Sequence, residues 1–290
     1  MSYVAEEIIS QPECWSQAAE LATRNESAFP RTGERVAVIG CGTSWFMAQS
    51  YAVLRESAGH GETDAFAASQ MPTGRAYDRV IAITRSGTTS EVCDVLRRID
   101  TPSTAIVGEE GTPATELATD TVAMPFADER SVVQTRYATS VLALLRAHLG
   151  QDMSTVVADA REALSANLPV DPTAVEQITF LGDGWTVGLA HEAGLKLREA
   201  ATFWTESYPA MEYRHGPISI TGPGRVTWMF GEAPDGLSDD VARTGGTLVR
   251  GTRDPMAELV VAQRFAVAVA EHRGLDPDSP RHLSRSVILP

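Results

Sequence analysis

Twice in its first part the chain passes from a short apolar run, through a glycine- and hydroxyl-rich turn, into a helical pattern, and few folds accommodate that succession. Arg35–Ile39 (RVAVI) is followed at once by Gly40-Cys41-Gly42-Thr43-Ser44 and a helical pattern from Trp45 to Glu56. Arg79–Thr84 (RVIAIT) leads through Arg85-Ser86-Gly87-Thr88-Thr89-Ser90-Glu91 into a helix ending near Arg98. Continuous apolar runs of this length are the mark of parallel strands buried on both faces. A glycine-rich turn between such a strand and a helix gathers free backbone N–H groups and the positive end of the helix dipole at one point, which suits a phosphate. Two such turns at the carboxyl ends of neighbouring strands meet where open α/β sheets bind ligands. Serine and threonine also cap helices, so either turn alone is weak evidence.

The remaining pattern extends the series. A helix is expected over Val4–Thr23, strands over Asp64–Ala68, Thr104–Val107 and Thr121–Met124, and long helices over Gln134–Leu149 and Asp152–Leu168. After a linker at Pro169–Pro172 the pattern restarts. The second series has strands at Gln177–Leu181, Arg225–Phe230 and Thr247–Val249, and helices from about Thr186, near Ser238–Thr244 and over Met256–His272. The expected fold class is α/β, two doubly wound parallel-sheet units in tandem. The expected boundary lies near residue 168, giving 1–168 and 169–290, with one ligand site shared by the two.

Composition bounds the function. With 290 residues, 43% apolar and 21% charged, the chain can build one large core or two ordinary ones. A net charge of −14 argues against nucleic acid and anionic membranes as partners. An anionic ligand must then be held by local donors. Cys14, Cys41 and Cys93 show no metal or CxxC spacing, which favours a reducing compartment. Glu6 and Glu7 stand where a signal peptide would be basic, and the apolar helix near the end is interrupted by Glu258 and Arg264. The expected location is cytoplasmic. The six histidines form no HExxH or similar set, so neither metal nor cofactor is expected. Gly40-x-Gly42-x-x-Trp45 lacks the third glycine of a dinucleotide fingerprint, and there is no GxxxxGK[ST].

Ionisable residues concentrate in Phe180–Ser219 (FLGDGWTVGLAHEAGLKLREAATFWTESYPAMEYRHGPIS). Glu192, Lys196 and Glu199 are spaced i, i+4, i+7, so a helix over His191–Ala201 puts them on one face. Lysine and arginine together number 24, and Lys196 is the single lysine. In a chain where arginine has replaced lysine everywhere else, the one that remains marks a site where the two are not equivalent. The plain alternative is a surface i, i+4 pair of Glu192 and Lys196 worth about 0.2–0.5 kcal/mol. His215 follows in a His-Gly-Pro turn. A carboxylate, an ammonium and an imidazole are the parts of a proton-transfer site.

CGTS at Cys41–Ser44, TRSGTTSE at Thr84–Glu91, HEAGLKLRE followed by HGP, and DSPRHLSRS at Asp278–Ser286 together resemble the tandem sugar-isomerase (SIS) domain family. The likeness is to the isomerase half of glucosamine-6-phosphate synthase and to stand-alone amino-sugar-phosphate deaminases, isomerases and deglycases. It implies flavodoxin-like three-layer units. It implies that Gly42, Thr43, Ser44, Ser86 and Thr89 hold a sugar phosphate, with Thr84, Arg85 and Gly87 lining it. It assigns Glu199 as the base that moves a proton between C1 and C2, His215 to ring opening from a neighbouring subunit of a homodimer, and Lys196 with Glu192 to tuning charge near the intermediate. A carboxylate in a water-poor pocket gains a pKa suited to proton shuttling.

Two departures narrow the expectation. The family's glutaminase domain is not represented in a chain opening MSYVAEE, so glutamine-dependent amination is not expected. Arg285, counted with the substrate-binding residues, stands where the synthase has a lysine that forms a Schiff base, and arginine cannot form that imine. The expected activity is isomerisation of a 6-phosphosugar, an amino sugar such as glucosamine-6-phosphate, with or without ammonia release. A deglycase of Amadori-type phosphosugars and a non-catalytic phosphosugar sensor are the alternatives. Glu129, Glu206, Glu212 and Arg136 stay open between site and surface.

Overall fold

The computed structural model describes residues 2–72 and 74–289. In chain order it contains α1 (Tyr3–Ile9), α2 (Gln11–Arg24), β1 (Val36–Gly40), α3 (Thr43–Ser57), β2 (Thr63–Ala67), β3 (Arg79–Thr84), α4 (Ser90–Arg98), β4 (Ser103–Val107), α5 (Pro113–Leu117), β5 (Asp120–Ala123), α6 (Arg136–His148) and α7 (Ser154–Ser165). There follow β6 (Gln177–Gly182), α8 (Thr186–Ala201), β7 (Thr205–Pro209), β8 (Arg225–Phe230), α9 (Leu237–Thr244), β9 (Thr247–Arg250) and α10 (Pro255–His272). The expected α/β class with two parallel sheets is what the chain adopts. Among the described residues no helix is long and apolar enough to cross a membrane.

The first sheet has the order β2-β1-β3-β4-β5, every neighbouring pair parallel. β1, β3 and β4 are buried almost throughout because helices cover both faces, so they read as unbroken apolar runs. Ala37, Ile39, Val80, Ala82 and Val107 pack with Val92, Val95 and Leu96 of α4 into one core cluster. The second sheet runs β7-β6-β8-β9, again parallel. Leu181 and Met229 meet Tyr213, Leu237 and Val241 on one of its faces.

Two local expectations are corrected. The single helix over Val4–Thr23 is two helices, because Pro12 has no N–H to continue the ladder and its ring opposes the preceding turn. β7 was not anticipated: TESYP lacks alternation, lies half-exposed at the sheet edge and ends in proline.

The compact units are also not the consecutive halves that a cut near residue 168 implies. One comprises Glu13–Ser154 with Ser284–Pro290, the other Met1–Pro12 with Thr155–Leu283. The amino-terminal segment belongs with the second sheet because its partners are there. Asp278 accepts hydrogen bonds from the N–H groups of Tyr3 (2.7 Å) and Val4 (2.8 Å), capping α1, and the Gln11 amide donates to Gln263 Oε1 (2.7 Å). Arg264 of α10 donates to the carbonyls of Ala163 and Ala166 at the end of α7, 2.7 Å each, which ties α7 to the same unit.

Candidate active site

In the first sheet the strand order reverses between β1 and β3, and their carboxyl ends carry the two loops. A side chain at Gly40 would meet the backbone of Ser44 at 2.7 Å, so glycine is required for α3 to start this close to the strand. Gly42, at φ 53°, turns the chain into α3. Thr43 and Ser44 are buried at the first turn of that helix, and Ser44 Oγ has no hydrogen-bond partner among the described residues. Burial, with the Glu91 carboxylate nearby, pushes the Cys41 thiol up to about 11, so it stays protonated beside this loop.

The second loop is held from several sides. Gly87 has φ 62°, and a Cβ there would fall 1.9 Å from Thr112 Oγ1. Ser86 Oγ accepts from the N–H (3.3 Å) and hydroxyl (3.0 Å) of Thr88, and Thr84 Oγ1 lies 3.5 Å from Thr89 Oγ1. The carboxyl-terminal tail lies along this loop. Ser286 and Thr88 hydroxyls are 3.0 Å apart, Ser90 N–H donates to the Val287 carbonyl (3.2 Å), and Leu289 N–H donates to Ser90 Oγ (2.8 Å).

Two arginines expected at the ligand are engaged with the protein itself. Arg85 is 2% exposed and donates to the carbonyls of Ser131 (2.9 Å) and Arg285 (3.1 Å), with Glu129 Oε2 at 3.6 Å. Arg285 grips both oxygens of Asp128 (2.6 and 2.8 Å) and donates to the Glu129 carbonyl. Glu129 itself caps α6, accepting from the N–H groups of Thr135 (2.5 Å) and Arg136 (2.8 Å), while the Arg136 guanidinium holds the Asp128 carbonyl (3.1 Å). Those two residues build the loop's support.

In the other unit, β6 delivers the chain into α8 through Gly182, where a Cβ would fall 2.4 Å from the Thr186 backbone. The expected helical face is present, and it is not a surface pair. Lys196 and Glu192 are essentially inaccessible, with Nζ 3.6 Å from Glu192 Oε1 and 2.5 Å from Glu199 Oε2. Glu199 alone of the three is partly open, at 18% side-chain exposure. It lines a cavity of about 260 Å³ with Leu195, Arg198, Thr202, Arg281 and Leu283. Burial lowers the pKa of His191 on the same helix, with the Arg198 charge adding to the effect. His215 ends a 3-10 turn, Glu212–His215, and is exposed; it does not line the Glu199 cavity, and Glu212 makes no hydrogen bond to it. A larger opening, about 470 Å³, has His60 and His148 in its wall and none of the site residues named above.

No family model matches the chain. The chain is 26% identical to a glutamine–fructose-6-phosphate aminotransferase (isomerizing) of Sulfolobus acidocaldarius, over 89% of this chain and 51% of that protein. It spans about half the length of the curated relatives it matches. Among solved structures it superposes on a glucosamine-6-phosphate deaminase from Thermotoga maritima with a TM-score of 0.83 at 23% identity, covering 99% of this chain and 100% of that one. The C-terminal domain of glucosamine-fructose-6-phosphate aminotransferase from Francisella tularensis gives a TM-score of 0.85 at 19% identity, covering 96% and 98%. The chain shares their two-sheet α/β fold and is similar in sequence to the sugar-isomerase (SIS) part of such synthases. In this chain the hydroxyl-rich loops belong to one unit and the Glu192–Lys196–Glu199 face to the other. Sequence reasoning missed Arg281, Leu283 and Thr202 in the Glu199 cavity, and it missed Asp128. None stands in a periodic or glycine-marked context that would single it out.

Proposed function

We propose that this protein is an SIS-type aldose–ketose isomerase of a 6-phosphosugar, with an amino sugar such as glucosamine-6-phosphate as substrate, with or without release of ammonia. The observation that carries the reading is the partly open Glu199 carboxylate hydrogen-bonded at 2.5 Å to the buried Lys196 ammonium. A carboxylate with one oxygen anchored and an accessible edge is a positioned proton carrier. The phosphate takes the donors of the loops at Gly42–Ser44 and Thr84–Thr89, with Ser44, Ser86 and Thr89 supplying hydroxyls. Glu199 takes a proton from one of C1 and C2 of the open-chain sugar and returns it to the other. A second copy of the chain brings its exposed His215 to assist ring opening, which makes the working form a homodimer.

The test is a proton-NMR time course in D2O with glucosamine-6-phosphate and with fructose-6-phosphate. The wild-type protein exchanges deuterium into C1 or C2, and Glu199→Gln loses that exchange by at least about 10²–10⁴-fold while still binding the sugar phosphate. Full exchange by Glu199→Gln would sink the assignment. Arg285 in place of the family's lysine favours a second reading, a phosphosugar sensor, and saturable binding without any exchange is its signature.

A further inference from the structure

We infer that Arg281 is a substrate-contacting cation of the Glu199 cavity, placed to bind the oxygen that becomes negative when Glu199 removes a proton. The inference rests on the isomerase reading and adds to it the group that stabilises the intermediate.

Three observations converge on this residue. The first is charge. Lys196 is nearly inaccessible and lies between the carboxylates of Glu192 and Glu199. Arg198 directs a guanidinium nitrogen to Thr205 Oγ1 at 2.9 Å. Arg281 is exposed, lines the cavity, and has no hydrogen-bond or ion-pair partner among the described residues. In a chain of net charge −14, a partnerless arginine beside a carboxylate-bearing cavity is available to an anion from solution.

The second is backbone conformation. Among the described residues only two other than glycine have positive φ, Thr202 at 47° and His282 at 61°. Both are at this cavity: Thr202 is in its wall, and His282 sits between Arg281 and Leu283, which are also in its wall. A left-handed conformation is unfavourable for a β-branched threonine and uncommon for histidine, and such residues cluster where a site needs a fixed geometry. Here the turn at His282 presents Arg281 and Leu283 together, and the turn at Thr202 ends α8 one helical turn after Glu199.

The third is the reaction. When Glu199 takes the proton, the C–H bond breaks, its electron pair forms the C=C bond, and the carbonyl π pair moves onto oxygen to give an enediolate. The hydroxyl proton on the neighbouring oxygen then passes to this oxyanion, that oxygen becomes the new carbonyl, and Glu199 returns its proton to the neighbouring carbon. The carboxylate is neutralised as the oxyanion appears, so the new negative charge requires its own preorganised donor. Arg281 brings a planar fork of N–H groups to the wall of the same cavity as the acceptor of the proton.

The experiment uses the full chain and two variants, Arg281→Gln and Arg281→Lys. Deuterium exchange with fructose-6-phosphate is measured together with affinity for two probes. One is 5-phosphoarabinonohydroxamate, whose planar anionic end mimics the enediolate; the other is sorbitol-6-phosphate, which cannot enolise. Arg281→Gln is expected to lower exchange by about 10²–10³-fold, to weaken the hydroxamate comparably, and to leave sorbitol-6-phosphate unchanged, with part of the exchange recovered in Arg281→Lys. Wild-type exchange rates in Arg281→Gln, or equal loss of both probes, overturn the role of Arg281 while the isomerase reading stands. Absence of exchange in the wild-type protein with both fructose-6-phosphate and glucosamine-6-phosphate overturns that reading and the inference with it.

Discussion

The guanidinium of Arg285 holds both carboxylate oxygens of Asp128, at 2.6 and 2.8 Å. Both bonds come from one nitrogen, Nη2, while Nη1 donates to the Glu129 carbonyl, so the guanidinium bridges two neighbouring residues of one segment. It fastens the tail to the segment behind the second loop, and Ser286, Val287 and Leu289 then bond along Thr88 and Ser90.

Replacing Asp128 with Asn separates fastening from stability. Both side chains are about one-third exposed, so the pair contributes no more than about 1 kcal/mol to the fold. Asp128→Asn is expected to leave the melting temperature nearly unchanged while hydrogen exchange accelerates over residues 284–289 and in the loop at Ser86–Ser90. Unaltered exchange in both segments would show that the tail is held without the ion pair.

Lys196 behaves in the opposite way, because its surroundings are closed. Substituting methionine keeps the packing volume but leaves two carboxylates facing each other around an apolar chain, one of them at a fully buried position. Lys196→Met is expected to cost about 3–5 kcal/mol, read as a drop in the urea midpoint. Adding Glu192→Gln recovers a substantial part of it. A single variant as stable as the wild type would place the lysine charge outside the fold's requirements.

The acid limb of stability follows from His148. Its ring stacks on Phe29 with centroids 4.7 Å apart, and burial lowers its pKa, only partly countered by the hydrogen bond to the Pro30 carbonyl. Between that lowered value and the ordinary 6.5, the unfolded chain binds more protons than the folded one. Stability therefore rises with pH across this window and falls as pH drops through it. The urea midpoint is expected to decline from about pH 7.5 to about pH 5.5. The decline should be shallower in His148→Gln, and equal slopes would exclude His148 as its source.

Much of the architecture was legible because parallel strands buried on both faces write themselves as apolar runs, as at Arg79–Thr84 and Arg225–Phe230. β7 was not, since an edge strand needs only one partner and tolerates Glu206 and Pro209. Lys196 was conspicuous as the single lysine, and its helix face was readable from spacing, yet its burial was not. Spacing reports which residues share a face, never how deeply that face is packed. Arg281 was hidden for a different reason. It enters the cavity wall next to a left-handed turn at His282, and a histidine in that conformation has no signature in the sequence.

The division of each compact unit between two stretches of chain bears on how the protein is made. The segment that caps the second unit is made before its partners Asp278 and Gln263, while the piece that completes the first unit is made after the whole second sheet. Neither core can close in the order of synthesis, so both must hold partly finished surfaces until late contacts arrive. A ribosome that stalls between the first sheet and the tail would therefore carry a nascent chain whose loop at Ser86–Ser90 still lacks its last strap.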